Sequence, residues 1–264
     1  MRFRQPSERR VGFSEGAVGL SVVAALAIAV CIPSPTLLAL QTRPAAETPP
    51  APPSVREISP GVFQVGKVRL EKSSRSISFP ATLNMTNGPL EYLLVTPMGK
   101  THESLLKTDV EPYHLHVAML LLGAKGSQTK ATNAPAGGPA TASALAKLRD
   151  KPLPGEAVSI ELNWKSGAKN VQRRVEELVL NTKTRQPMTR GDFTFTGSVV
   201  WQGAYVAQQE GSIISAITDP SAIFNNPRPG RDEDDAWVVL AKEAPPLDTP
   251  VTVTIRLSPP QSPK

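Results

Sequence analysis

Apolar and polar residues alternate, or β-branched residues cluster, in a series of short runs. These are Val62 to Leu70, Ser76 to Met85, Leu90 to Thr96, Val158 to Trp164, Val171 to Leu180, Phe193 to Trp201, Ser212 to Thr218, Trp237 to Leu240 and Val251 to Leu257. A period of two puts one set of side chains on one face of a pleated strand, so the runs predict strands. Asn87-Gly88-Pro89 punctuates the series as a turn. One stretch departs from this pattern. From Pro112 to Leu122 the chain predicts a helix, with Asp109 or Glu111 near its start, Pro112 suited to the first turn and Gly123 to the exit. Leu115, Val117, Ala118, Met119, Leu120, Leu121 and Leu122 make it apolar on nearly all sides, which predicts burial against the sheet. The expected fold is therefore β-rich α+β: a mostly antiparallel sheet, one principal buried helix over about residues 112–122, and a long low-complexity loop insertion. The strand and helix alternation of a dinucleotide-binding fold is absent from the pattern.

The ends and the insertion read differently. Arg2, Arg4, Arg9 and Arg10 precede a 16-residue apolar stretch, Ala17 to Ile32, and Pro33 and Pro35 follow it. A spanning helix needs about 20 apolar residues, so residues 1–40 read as a cleaved signal peptide, with an N-terminal anchor extended through Leu37 to Leu40 as the alternative. Neither Arg9-Arg10 nor Ile28-Ala29-Val30-Cys31 fits a twin-arginine or lipoprotein signal closely. Residues 41–55, with five prolines among alanines, form an extended spacer. A single domain is expected over 56–258, interrupted by the flexible insertion 124–144, with 259–264 as a tail. The chain is expected to be exported, periplasmic or extracellular, touching membrane only through its N-terminal segment.

Charge and composition remove several function classes. Of the net charge of +6, residues 1–43 carry five Lys/Arg against two Asp/Glu, so half belongs to the leader. The rest is scattered without aromatic interleaving, which argues against nucleic-acid binding. The single cysteine, Cys31, lies in the leader. Its removal would rule out disulfides, thiolate catalysis, iron–sulfur clusters and cysteine–zinc sites.

Candidate chemistry is concentrated in two places. All three histidines, His102, His114 and His116, lie within fifteen residues. On a strand, His114 and His116 would share a face and could chelate one ion; on the expected helix they stand about 200° apart. That leaves His102 with Glu103 and at most one further histidine as a metal site of two nitrogens and one carboxylate, or His102 with Glu103 as an acid and base pair. The plain reading is structural: histidines bonding backbone near the helix start. The second place is the run from Asn225 to Asp235, where Asn225, Asn226, Asp232, Asp234 and Asp235 offer oxygen ligands for calcium or a contact for a partner. The run lacks the alternating order of a calcium loop, and Arg228 and Arg231 would neutralise its carboxylates, which favours a loop laced by ion pairs. No Gly-x-Ser-x-Gly or His-Glu-x-x-His motif occurs.

Several blocks carry a family resemblance. Gly88-Pro89-Leu90-Glu91-Tyr92-Leu93-Leu94-Val95-Thr96, Lys100-Thr101-His102-Glu103-Ser104-Leu105-Leu106 and the Pro112-to-Gly123 helix resemble the YdjY domain family of bacterial exported proteins. Leu180-Asn181-Thr182-Lys183-Thr184 with Pro187-Met188, Phe195-Thr196-Gly197-Ser198, Gly211-Ser212-Ile213-Ile214-Ser215, Asn225-Asn226-Pro227 and the Asp232-to-Asp235 run are similar to it in the same order. The likeness spans Gly61 to Leu257. It implies no reaction, because the family has no established one, and no cluster, because the cysteines are missing. The expectation is an exported, non-enzymatic binding or envelope-associated module with an unknown ligand or envelope partner and no cofactor. A metal-binding protein around His102 and Glu103, and an enzyme using that pair, stand as alternatives.

Overall fold

The structure, a computed structural model, describes residues 53–127 and 151–259. The leader, most of the spacer, most of the insertion and the end of the tail lie outside the described residues.

The chain opens with β1 (Val55–Ser59), β2 (Val62–Val65), β3 (Val68–Glu71) and β4 (Ser76–Leu83), each antiparallel to the one before. After β5 (Tyr92–Val95) and β6 (Ser104–Lys107) comes helix α1 (Pro112–Leu121). The second half holds β7 (Glu156–Ser166), β8 (Lys169–Arg174), β9 (Val179–Asn181), β10 (Phe193–Phe195), β11 (Val200–Trp201), β12 (Ala204–Tyr205), α2 (Val206–Glu210), β13 (Ser212–Ser215), β14 (Phe224–Asn225), β15 (Trp237–Val239) and β16 (Pro250–Leu257).

The sheet closes on itself. Its order runs β4, β16, β7, β10, β14, β13, β5, β6, and β6 pairs back to β4, which makes a barrel of eight strands. Closure works because β4 shares one edge: its first half pairs β3 and its end, at Thr82 and Leu83, pairs β6. Closure is a feature the alternating pattern does not state, and the fold is otherwise the expected β-rich α+β. Two pairings, β5 with β6 and β13 with β14, are parallel and the rest of the ring is antiparallel.

Burial explains which strands were visible. On β4, β7 and β16 buried and open positions alternate, and Ile77, Phe79, Ala81, Leu83, Val158, Ile160, Leu162, Val251, Val253 and Ile255 turn inward. Eight strands leave an interior that side chains alone can fill. On β5, β10, β13 and β14 every residue is buried, so these short strands show no alternation of burial; the first three were expected from their apolar and β-branched runs, and β14 was not.

Three expected strands are broken in the structure. Val62 to Leu70 is a hairpin, with Gly66 at φ 57° in the two-residue turn joining Val65 to Val68. Val171 to Leu180 is interrupted by a 3-10 turn over Val175–Leu178. Phe193 to Trp201 stops at Phe195, because Gly197 and Ser198 take the left-handed region, at φ 83° and 59°, which a strand cannot contain.

Helix α1 starts and stops as its sequence prescribes. Pro112 occupies its first turn, and Gly123 at φ 89° closes the end, with Gly123 N–H bonded to the Leu120 carbonyl and Ala124 N–H to that of Met119. It packs on β2, β3, β4 and α2 and buries Pro112, Leu115, Ala118 and Met119. It is not covered all round: Leu120 and Leu121 face solvent. None of the helices among the described residues is long and apolar enough to cross a membrane.

Candidate functional site

The structure places the three histidines in three environments. His102 stands on a 3-10 turn (Thr101–Glu103) with 75% of its side chain exposed and its Nε2 3.8 Å from Glu103 Oε2. Glu103 also lies 3.9 Å from Lys100 Nζ. His114 leans over the β2–β3 turn, where a Cβ on Gly66 would meet its Nδ1 at 2.2 Å, and it lies 3.7 Å from Glu111. His116 turns the other way, its ring 5.1 Å from that of Tyr205 and 5.8 Å from that of Phe195. The helical phase thus separates His114 from His116 and sets the half-buried His116 against aromatic rings. Burial pushes the His116 imidazole down to about 4, and its Nδ1 is sealed without a hydrogen-bond partner. Among the described residues, no group of three or more His, Cys, Asp or Glu side chains is arranged to hold a metal ion. An exposed His102 also predicts a mild variant: His102→Ala should change stability by less than about 0.5 kcal/mol in urea denaturation, and a larger loss would show that it holds structure together.

The second candidate, Asn225 to Asp235, turns out to use its amides inward. Asn225 is buried: its Oδ1 accepts from Asp219 N–H at 2.8 Å, and its Nδ2 donates to Thr196 Oγ1 and the Asp219 carbonyl. Asn226 Oδ1 accepts from Arg228 N–H and its guanidinium, and Nδ2 donates to the Ala216 carbonyl. Both carbonyl oxygens are therefore committed to N–H donors. Asp232 accepts from Thr218 Oγ1 at 3.0 Å and lies 3.8 Å from Arg231 Nε. Asp234 is exposed, and Asp235 takes part through its backbone carbonyl, which accepts from Thr182. The loop is laced mainly by backbone and amide bonds.

Its arginine reaches Glu176, a residue that no pattern in the sequence singles out. Glu176 is fully buried, and its carboxylate accepts from Arg174 at 2.9 Å, Arg228 at 3.1 Å and Gly191 N–H at 3.0 Å. Arg228 in turn lies over the Phe193 ring, 4.6 Å from its centroid. A second buried polar group, Asp219, accepts from Tyr92 Oη at 3.0 Å and Ser221 N–H at 2.8 Å. Burial, set against those bonds, holds the Asp219 carboxyl above its ordinary range, and burial followed by the nearby carboxylate raises Tyr92. Both Asp219 oxygens are occupied, so this pair locks the loop after β13 onto β5.

The open site lies elsewhere. A groove of about 1220 Å³ runs between the segment before β7 and the loop after β14, with Ala157 and Thr194 among its lining. That exceeds the range of about 300–1,000 Å³ usual for small-ligand clefts. Five cationic side chains line it, Arg75, Lys125, Lys151, Arg228 and Arg231, against two carboxylates, Glu156 and Asp232. Glu156 already accepts from the N–H groups of Lys125 and Gly126, both at 2.9 Å, while Asp232 is held by Thr218 and Arg231. The surplus positive charge therefore belongs to the groove.

Fold and site together define a closed-barrel α+β domain with a basic groove at the strand ends of β7 and β16. The family model of the YdjY domain matches residues 68–256, more than half of the 264-residue chain, and the chain belongs to that family, one of uncharacterised function. No curated protein and no solved structure matches it.

Proposed function

We propose that this chain is an exported, non-enzymatic binding module whose ligand occupies the basic groove. The observation that carries the reading is the groove itself: about 1220 Å³, lined by five cations and by two carboxylates whose oxygens are already engaged. A concave site with a few convergent polar groups is where a ligand binds by default; catalysis would need a nucleophile or a base aligned with a partner. The only side chains the sequence offered for that work, His102 and Glu103, sit on an exposed turn, 3.8 Å apart. Export is supported by the basic start and apolar stretch of residues 1–40, and a periplasmic or extracellular location, tethered or free, follows from that segment alone.

The test is a thermal-shift panel of anionic, neutral and cationic solutes on the full chain, repeated with Ala157→Phe, which fills the groove from its lining. A ligand that raises the melting temperature of the parent and not of the variant supports the reading. A panel in which no solute discriminates the two proteins overturns it.

A further inference from the structure

We infer that the groove selects a phosphomonoester dianion, with Arg75 as the residue that anchors it and Lys151 as its second cation; this rests on the groove being the binding site. Three observations converge on that chemistry. Arg75 and Lys151 both line the groove, and neither side chain has a hydrogen bond or ion pair among the described residues. Arg228, by contrast, is tied to Glu176 and Asn226. Two uncommitted cations match a group that carries about −1.5 to −2 at neutral pH, as a phosphomonoester does; a single carboxylate would leave one of them unmatched. Arginine adds a planar fork that meets two phosphate oxygens at once.

Arg75 is also held in a conformation that a side chain disfavours. It sits in the turn between β3 and β4 at φ 49°, in the left-handed region where glycine is the default. Its N–H bonds the Lys72 carbonyl and its own carbonyl accepts from Leu257 N–H at 2.9 Å, so the turn fixes the residue beside the end of β16. Arg75 is one of five non-glycine residues at positive φ among the described residues, and of these it is the one whose guanidinium lines the groove, half-buried and unpaired. Finally, the groove-lining residues include no aromatic ring on which a base or sugar could stack, while Pro152, Leu153, Pro227, Pro229 and Pro259 offer apolar surface beside the charges. The acidic head is therefore what the groove recognises, and the body attached to it is apolar or small.

The phosphomonoester could be carried by a soluble molecule or by a lipid headgroup, and the experiment separates the two. Titration calorimetry of the full chain with glycerol 3-phosphate reads the soluble source. Co-sedimentation with phosphatidylcholine vesicles, with and without phosphatidic acid, reads the lipid source. Acetate and sulfate serve as comparison anions. Binding in either arm is expected to weaken about tenfold or more in Arg75→Gly, since one charged hydrogen-bonding group is lost. Glycine suits the φ of position 75, so this variant should fold and melt like the parent. Lys151→Gln, at an exposed position, should weaken binding in the same arm. Binding that survives both substitutions, or acetate binding as tightly as the phosphomonoester, overturns the inference. So does a lack of binding in both arms; if another solute of the panel above still distinguishes Ala157→Phe from the parent, the groove stands as a binding site and only the ligand class falls.

Discussion

Glu176→Ala is expected to be the most damaging single substitution in the domain, costing about 3–5 kcal/mol in urea denaturation. The carboxylate is fully buried and is the common acceptor for Arg174, Arg228 and Gly191 N–H. Removing it leaves two guanidinium groups in a poorly solvated pocket with their charge uncompensated. Each keeps some partners, Arg174 the Gly191 carbonyl and Arg228 the Thr189 carbonyl and Asn226 Oδ1. Those remaining bonds favour the lower end of the range. Glu176→Gln retains an acceptor without the charge and should fall between parent and alanine. A loss below about 1 kcal/mol for the alanine variant would show that water reaches the network and that it behaves as a surface ion pair.

The second large effect is on pH. In the native chain the His116 imidazole is pushed down from its ordinary 6.5 to about 4 by burial. The unfolded chain therefore takes up a proton first as the solution is acidified. The stability that comes from keeping the ring neutral is complete above about 6.5 and drains away as pH falls toward 4, a swing of about 2–3 kcal/mol. Asp219 acts in the opposite sense: its carboxyl is raised, so its contribution is greatest at low pH and falls as pH rises above its ordinary range. Comparing the parent with His116→Phe cancels the Asp219 part, since both proteins carry it. The aromatic replacement should keep the packing against Tyr205 and Phe195, and the stability of the parent relative to the variant should fall by about 2–3 kcal/mol between pH 6.5 and 4. Parallel curves for the two proteins would mean that the ring takes up its proton as readily in the folded state as in the unfolded one.

How much of this was legible in the sequence depends on what each residue does for burial. β4, β7 and β16 were visible because they have one wet face, and alternation is the record of that. β6 and β14 were not, because two to four residues with neither alternation nor a longer apolar run around them resemble a loop, whereas the equally buried β5, β10 and β13 lay within longer runs. The helix was visible through Pro112 and Gly123, and its period alone separates His114 from His116. The groove left no trace: Arg75, Lys151 and Arg231 belong to distant turns that only barrel closure assembles. Glu176 was equally silent, since Val171 to Leu180 reads as one strand and nothing in it says that the fold turns at Val175–Leu178 and buries one of two adjacent acids.

Closure by β16 also dictates when this domain can exist. β16 is not an edge added at the end; it lies between β4 and β7 and pairs with both along most of its length. Until Leu257 has been synthesised, a nascent chain holds two long strands with vacant edges and an unsealed interior. The pairing with β4 joins early and late parts of the barrel, and contacts of that separation form late. The unfinished chain is thus held open to whatever engages it first, such as a chaperone, and the ordering of the barrel is postponed until its final strand arrives.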